Sequence, residues 1–378
     1  MTWVATEISP YSEAYQKDIF DKPVFGLSRK EKAVSFLTAI KHLCLWHFDH
    51  NEQYQRILQT QGFFSRVQLA DINELDQVPY IAVSLFKRFV LKSISDAEVF
   101  RQIQSSGTTS QVPSVVILDQ QTAALQTKAL VKIVQQFTGR ARLPMLILDA
   151  AAGSSRTVGS NSYSARGAGV QGLSFLGRDH TYILDENLQL DMAALEAFCL
   201  RHLGQPILLF GFTYMVWNGM VRPLLEKKKQ IPLPEGVLIH SGGWKKLQAQ
   251  AVSNAVFKES LEAVSGIRRV HNFYGMAEQV GSVFMECEHG YLHAPYCAEI
   301  LVRDVQTLAS LGQGKQGLLQ VVSLLPLSYP GHSLLTEDLG ILVGEDDCPC
   351  GRLGKYFQVM GRLAASEIRG CSDTVSIG

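Results

Sequence analysis

Residues 206–239 open with Pro206-Ile207-Leu208-Leu209-Phe210-Gly211-Phe212-Thr213 and close with Gly236-Val237-Leu238-Ile239. Ile207–Phe210 and Val237–Ile239 are short, uninterrupted apolar runs, the pattern of strands buried on both faces. Val115-Val116-Ile117-Leu118 and Met145-Leu146-Ile147-Leu148 repeat that texture upstream. Helical spacing lies between the runs, in Leu125, Ala129, Ile133 and Phe137, and in Val256, Ser260 and Val264. Strand alternating with helix predicts an α/β fold. Pro206 to Met220 is the longest apolar stretch, and Gly211, Thr213, Asn218 and Gly219 interrupt it. It falls short of the roughly 20 residues that span a bilayer, so no membrane span is expected. Phe210, Phe212, Tyr214 and Trp217 suit an acyl tunnel, and core packing explains them equally well. Lys227-Lys228-Lys229 reads as a solvated helix end.

Toward the N-terminus the first hundred residues read as mainly helical. Ser28 and Glu31 have capping-box spacing, and Ala33, Leu37, Ile40, Cys44 and His47 form one apolar stripe, with Cys44 and His47 read as packed core. Gly153 to Gly177 shows no helix period and reads as a long loop, a candidate lid or pocket wall. The 378 residues carry 35 basic and 35 acidic side chains, a formal net charge of zero. That balance argues against a nucleic-acid binder. The N-terminus lacks a basic segment before an apolar run, so no signal peptide is expected. Seven cysteines, an odd number, fit thiol or metal chemistry in a reducing cytoplasm better than a disulfide framework.

Five motifs carry chemistry. Ser105-Ser106-Gly107-Thr108-Thr109-Ser110 can wrap a polyphosphate with backbone N–H groups and hydroxyls, although it lacks the P-loop ending. Ser241-Gly242-Gly243-Trp244-Lys245 allows close approach to an adenine ring. In Phe273-Tyr274-Gly275-Met276-Ala277-Glu278 the tyrosine can stack on a purine and the glutamate can hold Mg²⁺. In Leu334–Gly340, Asp338 is placed at a strand end, where it can accept from ribose hydroxyls. In Gly361-Arg362 the guanidinium suits phosphate or ribose.

In this order the five elements resemble the adenylate-forming superfamily of acyl-CoA synthetases, luciferases and adenylation domains. Three departures stand out. No lysine follows the phosphate loop, Ala277 replaces a common threonine, and Glu337 stands inside the usual Thr-Gly-Asp. The chain ends soon after Arg362, so the superfamily's mobile C-terminal domain is expected to be absent. His240–Lys245, Leu335–Gly340 and Cys348–Arg352 resemble the LuxE-type acyl-protein synthetase branch. The resemblance implies ATP-dependent activation of a fatty acid, capture on a cysteine near the C-terminus, here Cys371, and delivery to a partner protein such as a fatty-acid reductase. Ser105–Ser110, Gly242, Gly243, Tyr274, Gly275, Glu278 and Asp338 would bind the ATP and Mg²⁺, with Arg362 and Lys245 beside them. The implied organisation is a helical region at 1–104, an adenylate-forming core at 105–360 and a hinge segment at 361–378. Independently, a thiolate can displace AMP from an acyl-adenylate. Arg369 lies two residues from Cys371, and Gly370 frees the backbone. The rivals are an acyl or aryl ligase delivering to CoA or a carrier-protein thiol, and a non-catalytic scaffold.

Cys348-Pro349-Cys350 has the look of a metal knuckle, tighter than Cys-x-x-Cys. Phenylacetate-CoA-ligase-like proteins pair a similar block with an upstream Glu-Cys and Leu-His, here Glu286-Cys287 and Leu292-His293. Cys287, His293, Cys348 and Cys350 are the expected ligands of a structural Zn²⁺, with His289 and Cys297 as substitutes. Unmetallated thiols are the alternative.

Overall fold

The computed structural model describes residues 9–105, 113–151, 165–244 and 251–363. Ser106, Gly107, Thr108, Thr109, Ser110, Lys245 and Cys371 lie outside them. The chain divides into two compact units, one of Met1–Leu130, Gly275–Phe284 and Tyr291–Gly378, the other of Val131–Tyr274 and Met285–Gly290.

The second unit is the parallel α/β part that the apolar runs predict. Its strands lie in the order Arg269–Tyr274, Gly236–Ser241, Ile207–Phe212, Leu143–Ala150 and Gly177–Leu184. Neighbours pair in parallel, with Phe210 opposite both Ile239 and Ile147. Leu146, Leu209 and Leu238 share one buried cluster with Trp217, Phe257 and Leu261. Leu209, Val216 and Trp217 are thus core side chains. Beyond Phe212 the apolar stretch turns helical over Thr213–Val216, passes through a π-turn at Trp217–Val221, and ends as helix at Arg222–Glu226. Gly219 permits that packing, because a Cβ there would sit 2.8 Å from the Leu184 side chain. Lys227, Lys228 and Lys229 follow as exposed residues.

Two readings change in this unit. Gly153–Gly177 is not all loop, since Ala165–Ser174 is a helix. Glycine and alanine hide the apolar period there, and Gly169 lets the helix close on the Phe212 ring, 3.2 Å from its would-be Cβ. In the helix Asn254–Ser265 the buried stripe is Phe257, Leu261 and Val264, while Val256 is 42% exposed. Spacing by four alone drifts off a 3.6-residue turn. The caps are the ordinary ones: Ser253 accepts from the Val256 N–H, and Gly266 sits at φ 73°.

The first unit joins helices Glu13–Phe20, Arg29–His50, Glu52–Gln59 and Arg66–Ala70 to a mainly antiparallel sheet. The sheet order is Ser310–Leu311, Ala298–Arg303, Gln316–Ser323, Ser333–Glu345, Lys355–Arg362 and Leu292–His293, with Ile81–Ala82 pairing in parallel to Leu334–Leu335. Val115–Leu118 is a strand but stands outside this sheet, paired antiparallel with the polar strand Arg101–Gln104. The capping box of Ser28 and Glu31 forms as read. Cys44 and His47 are fully buried core residues. The His47 ring bridges Ser93 Oγ at 2.8 Å and the Pro326 carbonyl at 3.1 Å, and stacks on His332 with centroids 4.9 Å apart. Among the described residues no helix is long and apolar enough to cross a membrane.

Candidate functional site

Each unit holds part of the predicted nucleotide machinery. In the first, Ser105, which opens the expected phosphate-binding motif, is bonded to Ser114 beyond it. Ser114 N–H donates to Ser105 Oγ at 2.8 Å, and Ser105 N–H to the Ser114 carbonyl at 3.0 Å. Asp338 does not lie at a strand end but inside the thirteen-residue strand Ser333–Glu345. The hairpin register sets it directly across from Arg362. The guanidinium lies 3.5 Å from Asp338 and 3.8 Å from Glu337, a carboxylate and a cation side by side where ribose hydroxyls and phosphate oxygens can be met. Gly275 is exposed. Glu278, in the 3₁₀ turn Ala277–Gln279, is buried. Its carboxylate has no hydrogen bond or ion pair among the described residues. A carboxylate with no protein partner is available to a divalent cation, which prefers one or two carboxylates plus phosphate oxygens.

In the second unit Gly242 and Gly243 leave the strand Gly236–Ser241 exposed, and Gly242 has φ 82°, a conformation that favours glycine. Tyr274 ends the neighbouring strand and is half-buried. Sequence reading passed over the pair that fixes this edge. Thr213 Oγ1 donates to the Ser241 carbonyl at 3.2 Å and therefore accepts from His240 Nδ1 at 2.9 Å. His240 is held neutral by burial, its pKa lowered to about 3. The visible signal was a histidine ending an apolar run two residues before the glycines; Thr213, 27 residues earlier, gave none.

The four expected metal ligands form one group. One donor atom each from Cys287, His293, Cys348 and Cys350 lies within 4.8 Å of the others, and Cys350 Sγ is 3.4 Å from His293 Nε2. A tetrahedral zinc with bonds of roughly 2.0 to 2.3 Å would space its ligand atoms about 3.5 to 3.8 Å apart, so three sulfurs and one imidazole at these separations suit it. Burial pushes the Cys350 thiol up, but hydrogen bonds from Arg352 and Cys348 and the Arg352 charge outweigh it, and the net shift is down. His293 stacks on Tyr356 at 5.5 Å. His289 is exposed, Cys297 is buried, and neither belongs to the group.

The family model described as acyl-protein synthetase, LuxE, matches residues 4–377. The chain is 23% identical over 350 residues to the long-chain-fatty-acid–luciferin-component ligase of Vibrio harveyi, covering 89% of this chain and 86% of that protein. The ligase of the same name from Aliivibrio fischeri is 22% identical over 345 residues, covering 88% and 85%. Among solved structures, a 2-hydroxyisobutyryl-CoA ligase in the postadenylation state with 2-HIB-AMP superposes with a TM-score of 0.66 at 16% identity, covering 89% of this chain and 69% of that one. At that identity the likeness shows the fold, that of adenylate-forming enzymes.

Proposed function

The chain belongs to the LuxE acyl-protein synthetase family, and from that premise we propose that it activates a fatty acid with ATP and captures the acyl group on its own Cys371. The carboxylate oxygen attacks the α-phosphate, pyrophosphate leaves, and a mixed anhydride forms. The Cys371 thiolate then attacks the acyl carbon and AMP departs, leaving a thioester for transfer to a partner protein such as a reductase. Activation is needed because hydroxide is a poor leaving group and AMP a good one. The observation that carries the reading is the carboxylate of Glu278, a buried residue whose side chain has no hydrogen bond or ion pair among the described residues.

In this scheme Glu278 would hold Mg²⁺, which when bound would supply neutralisation of the phosphate charge. Asp338 accepts from ribose hydroxyls and Arg362 donates to the nucleotide. Ser105 to Ser110 hold the phosphates, Gly242, Gly243 and Tyr274 receive the adenine, and Lys245 offsets the negative charge of carboxylate or α-phosphate. A structural Zn²⁺ on Cys287, His293, Cys348 and Cys350 leaves no open position, so it supports the fold rather than the reaction.

The test is intact mass after incubation with ATP and a long-chain fatty acid. The expected result is a gain equal to the acyl group, discharged by hydroxylamine and absent from Cys371→Ala, which keeps ATP–pyrophosphate exchange. An acylated Cys371→Ala protein, or one without exchange, would refute the assigned role. Exchange with no mass gain, and acyl-CoA formed when CoA is added, would favour delivery to a soluble thiol.

A further inference from the structure

The carboxylate of Glu278 is without a partner among the described residues, but its main chain is heavily tied. The Tyr329 hydroxyl donates to the Glu278 carbonyl at 2.9 Å and accepts from Gln126 Nε2 at 3.3 Å. Tyr329 is fully buried. A Cβ on Gly331 would lie 2.8 Å from that same carbonyl oxygen and 2.2 Å from the Tyr329 ring, so only glycine lets the turn close on Glu278. Gln279 Nε2 donates to the carbonyls of Gly331 at 2.8 Å and Val321 at 3.0 Å. The loop that carries Tyr329 is itself anchored. The Leu327 carbonyl accepts from Trp46 Nε1 at 3.0 Å, and Ser328 Oγ donates to the Ile117 carbonyl at 2.9 Å.

Packing alone would need the ring of Tyr329 and not its hydroxyl. Here the hydroxyl spends its one proton on the residue whose side chain is left open. We infer that Tyr329 is a positioning residue: the turn Tyr329-Pro330-Gly331 fixes the main chain at Glu278 so that its carboxylate is held ready for the divalent cation of a bound nucleotide. The inference rests on the proposed role of Glu278. Residues that orient a metal ligand through one intervening contact commonly change metal affinity by about 10- to 100-fold when altered.

The experiment compares wild type, Tyr329→Phe, Gly331→Ala and Glu278→Gln by electron paramagnetic resonance of free Mn²⁺ in the presence of ATP. Mg²⁺ titration of ATP–pyrophosphate exchange and thermal melting run alongside. Tyr329→Phe keeps the ring that meets Phe86 edge-on at 6.1 Å. It is expected to bind Mn²⁺ about tenfold more weakly, with exchange recovering at raised Mg²⁺. If Tyr329→Phe does not fold, Gly331→Ala carries the test with the same expected metal deficit. Wild-type Mn²⁺ affinity in Tyr329→Phe, with affinity lost in Glu278→Gln, overturns the inference and leaves the function intact. Wild-type affinity in Glu278→Gln overturns the role of Glu278 itself, and the inference with it. Lowered melting with unchanged Mn²⁺ affinity also overturns it, because that is the signature of packing alone.

Discussion

Replacing Glu299 by glutamine removes the charge that keeps the buried Lys32 and the half-buried Lys355 together. Lys32 Nζ lies 2.6 Å from Glu299 Oε1 and Lys355 Nζ lies 3.3 Å from Oε2, with side-chain exposures of 6%, 14% and 7% for Lys32, Lys355 and Glu299. Lys32 also donates to the carbonyls of Pro295 at 2.8 Å and Ala298 at 2.7 Å, whereas Lys355 donates to the Ile300 carbonyl at 3.2 Å and its charge also acts on Glu345. Glutamine keeps the shape and leaves two ammonium groups facing a neutral amide. Removing one partner of a buried ion pair costs about 3–5 kcal/mol. Lys355→Met leaves Lys32 and Glu299 charge-balanced and is expected to lose roughly 1–2 kcal/mol, mostly one charged hydrogen bond. The order Glu299→Gln worse than Lys355→Met is therefore the sharp expectation, and the double variant recovers part of the loss. Burial raises the Glu299 pKa, but the charges of Lys32 and then Lys355 outweigh it, so the folded value is depressed. This contribution is thus present above the unfolded carboxylate value and lost as pH falls through the folded one, where wild type and Glu299→Gln converge. Urea unfolding, read by hydrogen exchange in the helix Arg29–His50, measures all three. Equal losses in the two single variants, or less than about 1 kcal/mol in Glu299→Gln, would refute the charge argument.

Acid should destabilise both units through neutral buried histidines. Burial lowers the pKa of His332 and of His240 to about 3, so their stabilisation is complete above the unfolded value near 6.5 and erodes below it by about 1.4 kcal/mol per pH unit for each; urea midpoints unchanged between about pH 7 and pH 4.5 would contradict this. Protein purified without chelator should contain about one zinc per chain, and Cys348→Ser should lose it and melt earlier; elemental analysis finding no zinc in the wild type would end the metal assignment.

What the sequence makes legible follows from which forces are local. Ile207–Phe210 and Val237–Ile239 could be read as buried strands because both faces of a parallel sheet demand apolar side chains, and that demand is written residue by residue. Val115–Leu118 has the same texture and pairs elsewhere, since an apolar run records burial and not the identity of its neighbour. Its partner Arg101-Gln102-Ile103-Gln104 is too polar to be read as a strand without the pairing. The helix Ala165–Ser174 was hidden by its own composition, for glycine and alanine carry too little hydrophobic contrast to show a period. Asp338 reads as a strand end in the local sequence, but pairing with Lys355–Arg362 continues past it to Glu345, and that pairing is long-range.

The metal group shows where local reading stops and pairing takes over. Four cysteines and two histidines fall in two short stretches, so their abundance is visible in the sequence. Choosing among them is not a matter of spacing. Leu292 pairs with Phe357 and His293 with Tyr356, and this pairing seats the His293 ring on Tyr356 within reach of Cys350, in the turn just before Lys355. His289, on the turn closed by the Gly290 N–H to the Cys287 carbonyl, is left in solvent. Glu278 follows the same logic on a larger scale. Its own motif marks it, but Tyr329, 51 residues away, holds its carbonyl, and only the folded sheet brings a tyrosine hydroxyl and a side-chain-free glycine to that one oxygen. Residues that meet substrate can be marked by composition, because packing gives no other reason for them. Residues that hold those residues in place look like ordinary core until the register is known.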